Sequence, residues 1–327
     1  MSGAYIRVEN LKKYFATKRG MLHAVDDVSF EIKKGETLGL VGESGCGKST
    51  LGRCLIRLLD STSGKVLLKN NDDDGYFDIT KASAHEMKVL RKRVQIVFQD
   101  PYSCLNPRLS VWELIAEPLI VNNIYDNKNE MRKRIRSLMD TVGLAERLEN
   151  SYPHELDGGR RQRIGIARSL ALNPEFIVLD EPVSALDVCI QAQILNLLNS
   201  LQKEFKYTYV FISHNLSVVR HVSDRIAVMY LGQIVELAEY KDLFKTPLHP
   251  YTQALLSAIP LAKLDVKRER IILEGDVPSP IEPPNACRFA GRCRYAEDIC
   301  RNTPPALREI LPGHFAACHH AKENINQ

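Results

Sequence analysis

Residues 42–50 read GESGCGKST and match the pattern G-x-x-x-x-G-K-[ST]. They follow the apolar run TLGLV at 37–41, which is typical of a buried strand, and a helix is predicted directly after them. In this setting glycines let successive backbone N–H groups curl around phosphate oxygens, Lys48 reaches the β and γ phosphates, and the Ser49 hydroxyl ligates Mg²⁺. The stretch predicts an α/β fold with a loop that binds nucleotide phosphates, formed by Gly42, Glu43, Ser44, Gly45, Cys46, Gly47, Lys48, Ser49 and Thr50.

A second stretch places two acidic residues together. Residues 176–181 read FIVLDE, an apolar run that predicts a buried strand ending in Asp180 and Glu181. Ligands of open α/β sheets bind at the carboxyl ends of the strands. Asp180 therefore suits the Mg²⁺ shell, and Glu181 suits the base that polarises an attacking water.

The remaining pattern predicts alternating strands and helices. Apolar runs at 94–98 and 209–212 are typical of buried parallel strands, and 111–122 and 128–142 are predicted to be helical. The acidic segment KNNDDDGYFDIT at 69–80 predicts an exposed loop. Prolines become frequent after Gly232, which predicts a domain boundary near 235.

Length and charge limit the classes of function. At 327 residues we expect one large domain and a smaller one, and 44 Lys and Arg against 40 Asp and Glu leave a net charge of +4. This charge is too small and too well mixed to indicate nucleic acid as a partner.

The first ten residues, MSGAYIRVEN, lack the apolar run of a signal peptide, and no apolar stretch approaches the ~20 residues of a membrane span. We therefore expect a cytoplasmic chain with a peripheral role, if any, at a membrane.

The order of these motifs resembles a known family. The phosphate loop, Gln99, the LDGGR stretch at 156–160, the acidic strand, the SALD stretch at 184–187 and His214 together resemble the ATP-binding subunit of an ABC transporter over about 1–235. Stretches at 100–108, 152–155, 183–188 and 249–251 are similar to its oligopeptide/dipeptide permease branch. The resemblance implies a P-loop NTPase core with a β subdomain and a helical subdomain at about 101–165. It also implies a C-terminal extension at 236–327.

The resemblance implies roles for individual side chains. Gln99 would link the site to the membrane subunits and would join Ser49 and Asp180 around Mg²⁺. His214 would contact the γ-phosphate and hold Glu181 and the water in place. For the adenine, Phe15 fits the family's spacing better than Tyr14.

The same resemblance implies partners and a function. ATP would be sandwiched head to tail between two such subunits on the cytoplasmic face of the membrane, with two transmembrane permease subunits and an extracytoplasmic peptide-binding protein. The sequence thus predicts an ATPase that powers peptide import, with nickel, opines or other small solutes as open alternatives. A soluble ABC-type ATPase acting on nucleic acid or ribosomes would share the nucleotide motifs, and the extension argues against it. The presence of Glu181 and His214 argues against a non-catalytic regulatory subunit.

The signature stretch departs from the family's usual LSGGQ. In the family the serine hydroxyl and the glycine amides cap the γ-phosphate of the opposite subunit, a role implied here for Asp157, Gly158 and Gly159. An ionised Asp157 facing a phosphate is a like-charge contact of roughly 1–4 kcal/mol at ~4 Å, part of which Arg160 would offset. Two interpretations stay open: an altered but working signature, or a degenerate site in a heterodimer with a paralogous ATPase.

Four cysteines crowd the last segment with the spacing C-x5-C-x6-C-x17-C: Cys287, Cys293, Cys300 and Cys318. Clustered thiols in a reducing cytoplasm indicate a metal before they indicate disulfides, and the spacing is not that of common zinc ribbons. The family extension carries a 4Fe-4S cluster in some members, so an iron–sulfur cluster is predicted. Zinc, and free or disulfide-bonded thiols, are the alternatives, with His314, His319 and His320 as other candidate ligands.

Overall fold

The computed structural model describes residues 3–70, 75–259 and 270–321. These residues form the strands β1 (Ile6–Thr17), β2 (Gly20–Ile32), β3 (Thr37–Val41), β4 (Ser63–Lys69), β5 (Tyr76–Asp78), β6 (Val94–Val97), β7 (Phe176–Asp180), β8 (Thr208–Ser213), β9 (Arg225–Tyr230), β10 (Gln233–Glu239), β11 (Arg308–Leu311) and β12 (His314–Ala316). They form the helices α1 (Lys48–Leu55), α2 (Ala84–Arg93), α3 (Pro101–Cys104), α4 (Val111–Val121), α5 (Lys128–Thr141), α6 (Gly158–Leu170), α7 (Val188–Phe205), α8 (Leu216–Val222), α9 (Tyr240–Lys245), α10 (Pro250–Ser257) and α11 (Asp298–Asn302). The mixed composition confirms the predicted α/β class.

Contacts divide the chain into two units. The first comprises 1–33, 37–81 and 211–327, and the second comprises 34–36 and 82–210, as far as these residues are described. The division falls within β8, so this strand contributes residues to each unit. The predicted boundary near 235 stays a prediction.

An antiparallel sheet in the first unit has the order β2-β1-β4-β5. Strands β1 and β2 form a long hairpin in which Tyr14 faces His23 and Phe15 faces Leu22. The loop predicted at 69–80 is wrong in part, because β5 pairs with β4 through Leu68 and Phe77. Residues 71–74 of that predicted loop lie outside the described residues.

A further sheet in the first unit has the order β11-β12-β10-β9-β3. Strand β3 pairs in parallel with β9, and β9 pairs antiparallel with β10. All residues of β3 are buried, which explains why its sequence is an unbroken apolar run rather than an alternating one. The phosphate loop follows β3 directly.

A buried carboxylate fastens the C-terminal part of the first unit to β10. Glu236 is inaccessible to solvent and accepts hydrogen bonds from the N–H groups of Leu248 (2.7 Å) and His249 (2.9 Å). Its Oε1 atom also lies 2.7 Å from Nε2 of His314 on β12. Burial lowers the pKa of His249 to about 4, so its neutral ring accepts the N–H of Tyr251 at the start of α10. A buried carboxylate needs such a full set of donors.

The second unit combines parallel strands with a helical region. Strands β6 and β7 pair in parallel, and every residue of β7 is buried. Helices α4, α5 and α6 contact one another, and α4 begins with a capping box in which Ser110 and Glu113 exchange hydrogen bonds. The helices predicted at 111–122 and 128–142 are confirmed.

No helix in the described ranges combines the length and apolarity needed to cross a bilayer.

Candidate active site

The phosphate loop joins β3 to α1, and its glycines are required by its geometry. A side chain at Gly42 would place its Cβ 2.1 Å from the carbonyl oxygen of Met229, and one at Gly47 would lie 1.9 Å from that of Ala24. Gly47 also has a φ of +104°, in the left-handed region that favours glycine. Because the backbone is packed this closely, the loop can keep the curled path that the motif predicts.

The side chain of Lys48 spans the loop. This residue is 4% exposed, and its Nζ donates to the carbonyl oxygens of Gly42 (2.8 Å) and Glu43 (2.9 Å). The ammonium charge is thereby fixed inside the loop, where phosphates are predicted. Burial raises the pKa of the nearby Cys46 thiol, so this buried cysteine stays neutral and acts as a small filler residue.

Helix α1 begins in a manner suited to anion binding. Gly47 occupies its N-cap position and has no side chain to accept from the first-turn amides, and the first turn contains no acidic residue. The N-terminus of the helix therefore offers backbone donors and a positive dipole.

The other predicted residues of the first unit lie at strand ends and on the β1–β2 hairpin. His214 is exposed between the end of β8 and Asn215, which caps α8. Tyr14 stacks on His23 at 3.9 Å between ring centroids and donates to Asp26. Phe15 is 36% exposed, with Lys13 Nζ 4.8 Å from its ring centroid. Of the two aromatic residues, Tyr14 already has a stacked partner and Phe15 presents its ring at the surface.

In the second unit, the acidic end of β7 contacts Gln99, the residue predicted to link the site to the membrane subunits. Nε2 of Gln99 donates to Oε2 of Glu181 at 3.0 Å, and Asp180 is 1% exposed. Glu181 has a φ of +47°, an uncommon conformation for this residue type, and its carbonyl accepts from Ser184 Oγ at 3.1 Å. Such strained conformations concentrate at functional sites. Nothing in the sequence pattern indicated this strain.

The signature stretch forms the beginning of α6 in the second unit. Oδ1 of Asp157 accepts the backbone N–H of Arg160 at 2.8 Å, and Arg160 Nε lies 3.4 Å from Asp157 Oδ2. Asp157 is therefore an N-cap residue whose charge is paired with its own helix and with Arg160. A Cβ on Gly159 would lie 2.7 Å from a side-chain methyl of Ile190, so a larger residue there would force Ile190 to shift.

The predicted site residues are divided between the two units. The first unit holds the loop at 42–50, Phe15 and His214. The second unit contains Gln99, Asp180 and Glu181, of which Gln99 and Glu181 are in contact, and it also contains Asp157, Gly158 and Gly159.

The four clustered cysteines belong to the first unit. Cys287 N–H donates to the carbonyl of Cys300 at 3.0 Å, and burial with the charges of the neighbouring cysteines raises the pKa of Cys287 to about 11 and that of Cys318 to about 12. All eight cysteines are free, so the disulfide alternative is wrong for this structure. Within the described ranges, no three Cys, His, Asp or Glu side chains are placed to hold a metal ion.

The candidate histidine ligands have different surroundings. His314 is held by Glu236, as described above, and His319 Nε2 lies 3.0 Å from the carbonyl oxygen of Thr303. His320 Nε2 lies 3.8 Å from the sulfur of Cys300. The thiols are gathered, but their present arrangement is not that of a ligand set.

Sequence reasoning missed the contacts between the phosphate loop and the C-terminal part of the first unit. Arg292 forms a two-point ion pair with Glu43, and the Tyr251 hydroxyl accepts the backbone N–H of Glu43. A lone Arg and a lone Tyr far from the loop in sequence carry no motif that would have revealed them.

Comparison with known proteins identifies two matching family regions. Residues 25–184 match the ABC transporter family, and residues 235–300 match the C-terminal region of oligopeptide/dipeptide transporters. The chain is 51% identical over 324 residues to the oligopeptide transport ATP-binding protein AppF of Bacillus subtilis, covering 96% of both chains. It is 49% identical over 320 residues to a putative peptide import ATP-binding protein of Brucella abortus, covering 98% of both.

Two solved structures of ABC ATP-binding proteins are also similar to this chain. The ATP-binding cassette MJ0796, in a dimeric post-hydrolysis state bound to ADP and Pi, is similar with a TM-score of 0.64 and 31% identity, over 72% of this chain and 98% of that one. The cbiO1 protein of Clostridium perfringens, part of an ABC transporter complex, is similar with a TM-score of 0.64 and 30% identity, over 74% of this chain and 91% of that one.

A glycine-rich phosphate loop after a buried strand, with a second buried strand ending in two carboxylates, defines a P-loop ATPase. Within that class, the chain belongs to the ATP-binding subunits of ABC transporters, in the oligopeptide/dipeptide transporter family. The predictions of an ABC ATPase core, of ATP hydrolysis and of a transport function are confirmed. This family membership implies ATP and Mg²⁺ as cofactors.

Proposed function

We propose that this chain hydrolyses ATP to power the import of peptides, acting from the cytoplasmic face of a membrane. The observation that carries this proposal is that one chain contains both family regions and matches oligopeptide transport ATP-binding proteins over 96% of its length. Two transmembrane permease subunits and an extracytoplasmic peptide-binding protein would complete the transporter. The match at 235–300 supports treating 236–327 as the extension of the family and 1–235 as the ATP-binding domain.

The proposed chemistry gives a role to each predicted catalytic residue. Lys48 and the loop amides bind the phosphates, and Glu181 accepts a proton from the attacking water. The hydrogen bond from Gln99 orients the Glu181 carboxylate. His214, exposed after β8, is proposed to contact the γ-phosphate.

The residues proposed to hold Mg²⁺ fit its chemistry. Ser49, Gln99 and Asp180 supply a hydroxyl, an amide carbonyl and a carboxylate, which are the oxygen ligands that this hard cation prefers. When bound, the cation neutralises the developing charge on the phosphates. Phe15 is the proposed stacking surface for adenine, which its exposed ring supports.

The signature bears on the choice of partner ATPase. Asp157 would approach the nucleotide bound by the opposite subunit, and its charge is partly balanced by Arg160 and by the N-terminus of α6. We propose a paralogous subunit as the natural partner, because two copies of this chain would place an aspartate in both sites. If the signature works as it is, Asp157→Ser does not tighten the ATP-dependent dimer.

The four cysteines are proposed to bind a 4Fe-4S cluster, with zinc as the second choice. The support is that Cys287, Cys293 and Cys300 lie in the region that matches the C-terminal region of oligopeptide/dipeptide transporters. Because burial raises the pKa values of Cys287 and Cys318, metal binding would have to remove their protons and rearrange the side chains. We expect protein purified without oxygen to be brown, with about four irons per chain and broad absorbance near ~400 nm. Colourless protein with one zinc would favour zinc, and protein without metal after anaerobic reconstitution would contradict both.

The transport function is tested with the complete transporter in proteoliposomes. Labelled di-, tri- and longer peptides should accumulate in an ATP-dependent manner in the presence of the binding protein, and Ni²⁺ and opines should neither accumulate nor compete. A Lys48→Ala transporter, which lacks the phosphate contact, should assemble without transport. ATP-driven uptake of Ni²⁺ or an opine without uptake of any peptide would contradict the proposed cargo.

A further inference from the structure

The C-terminal extension contacts the phosphate loop at Glu43. Nη1 and Nη2 of Arg292 lie 2.9 and 3.2 Å from Oε2 and Oε1 of the Glu43 carboxylate, which makes the ion pair bidentate. The hydroxyl oxygen of Tyr251 accepts the backbone N–H of the same residue at 2.9 Å. Glu43 is therefore held by its side chain and by its main chain at once.

Both contacting side chains are themselves fixed. The side chain of Arg292 is only 9% exposed and belongs to the 3₁₀ turn Ala290–Arg292, next to Cys293. Tyr251 is fully buried, with its ring centroid 4.7 Å from that of Tyr230 and 5.5 Å from that of Phe289. A guanidinium in such a position loses little further entropy on pairing, and its limited exposure reduces screening of the ion pair.

Glu43 connects these contacts to the phosphate-binding lysine. The Nζ atom of Lys48 donates to the carbonyl oxygen of Glu43, on the residue that Arg292 and Tyr251 hold. A displacement of Glu43 would move one of the two carbonyl groups that position the Lys48 ammonium. A single residue, Glu43, therefore connects the extension to the Lys48 ammonium, which is predicted to contact the β and γ phosphates.

The extension also contacts the β1–β2 hairpin on which Phe15 lies. Arg288 forms a buried ion pair with Asp26, which in turn accepts from Tyr14. The backbone N–H of His23 donates to the carbonyl of Pro280 at 2.9 Å, on the segment that leads to the cysteines. The extension thus supports the hairpin of the proposed adenine contact as well as the loop of the proposed phosphate contact.

We propose that the C-terminal extension positions the ATP site, and that Arg292 is a positioning residue that acts through Glu43 on Lys48. The inference rests on the proposed role of residues 42–50 in binding the phosphates of ATP. Its consequence is that ATP affinity depends on a part of the chain outside the region that matches the ABC transporter family.

The test measures MgATP binding to the full-length chain by calorimetry, and ATP hydrolysis by the assembled transporter. Arg292→Ala should weaken MgATP binding about tenfold and raise KM while kcat changes less than about twofold, since the pair positions the loop without touching the reacting atoms. Arg292→Lys keeps the charge but loses the bidentate geometry. Its MgATP affinity should therefore lie between those of Arg292→Ala and the original chain.

The matched control is Arg294→Ala. Arg294 lies on the other side of Cys293, is exposed and has its guanidinium 4.7 Å from the ring of Tyr295. The Arg294→Ala substitution removes the same type of side chain from the same segment. It should leave the affinity for MgATP and the KM for ATP unchanged.

A double-mutant cycle separates positioning from a general effect on folding. If Arg292 acts through Glu43, the combined Arg292→Ala and Glu43→Ala change should weaken binding no more than the larger single change. Additive losses, or an Arg292→Ala chain that binds MgATP like the original, would overturn the inference. If Arg292→Ala does not fold, Glu43→Gln breaks the pair from the loop side, and unchanged affinity there overturns it equally.

The same measurements distinguish this inference from the proposed ATP site. An original chain that binds MgATP, loses binding on Lys48→Ala and ignores Arg292→Ala refutes the inference alone. A chain in which Lys48→Ala retains full affinity refutes the proposed phosphate loop.

Discussion

Two helices of this protein begin at glycine-rich motifs, and they treat their N-terminal amides in opposite ways. At α1 the N-cap residue is Gly47, which has no side chain with which to accept a hydrogen bond. At α6 the N-cap residue is Asp157, whose carboxylate accepts the N–H of Arg160 and pairs with its guanidinium. The N-terminus of α1 has no capping side chain, whereas one amide at the N-terminus of α6 donates to a negatively charged side chain.

The difference shows that a glycine-rich turn before a helix does not define an anion site by itself. No acidic residue or capping side chain compensates the dipole of α1 at its N-terminus, whereas the Asp157 carboxylate partly compensates the dipole of α6. An ordinary serine at position 157 would cap the helix equally well without adding charge. Asp157, in place of the family's usual serine, therefore changes the electrostatics of the signature and leaves its local fold intact.

The largest expected effect comes from blocking hydrolysis while ATP binding is kept. ATP then stays bound, and the N-termini of α1 and α6 can be compared in the ATP-bound state. Glu181→Gln should slow turnover at this site by at least ~100-fold, the scale of general-base catalysis, with MgATP affinity nearly unchanged. The measurement is single-turnover hydrolysis in the assembled transporter, with trapping at a single site. Wild-type turnover by the mutant site would refute the role of Glu181.

The next effect comes from adding a methyl group at each helix terminus. Gly47→Ala should weaken MgATP binding about thirtyfold, because the residue has a positive φ and its Cβ would collide with the carbonyl oxygen of Ala24. Gly158→Ala should change MgATP binding to the chain's own loop much less, because its Cβ would meet only a side-chain methyl of Leu186 at 3.1 Å and its predicted contact is with the nucleotide of the opposite subunit. If calorimetry shows equal losses of MgATP affinity in the two variants, the proposed difference between the N-termini of α1 and α6 is wrong.

The smallest effect comes from repairing the signature. In a Glu181→Gln background, Asp157→Ser should tighten the ATP-dependent dimer of this chain about fivefold, since it replaces like-charge repulsion with a donor. Asp157→Asn keeps the cap and removes only the charge, so it reports the electrostatic part alone. Sedimentation with ATP gives the dimer constants. If the unrepaired chain dimerises as tightly, the signature works as it is and the degenerate interpretation should be abandoned.

The two motifs also show how far sequence could lead. The loop at 42–50 was predictable because its chemistry depends on backbone shape, which glycines at fixed spacing specify. For Asp157, the sequence predicted the pairing with Arg160, but not the hydrogen bond from the backbone N–H of Arg160, which depends on where α6 begins. The strain at Glu181 and the contact of Arg292 with Glu43 were equally hidden, since each depends on how distant segments pack. The short strand β5 was missed because its acidic sequence is typical of turns and its pairing with β4 is tertiary.

The place of β12 beside β10 has a consequence for biosynthesis. Glu236 on β10 and His314 on β12 meet in a buried contact, and the residues opposite one another include Leu237 and Phe315. During translation, β3 and its phosphate loop emerge long before the strand that completes their sheet. The unpaired edge of β10 is thus exposed on the nascent chain until residue 316 has left the ribosome, and a chain cut at 235 should leave the ribosome with β9 uncovered.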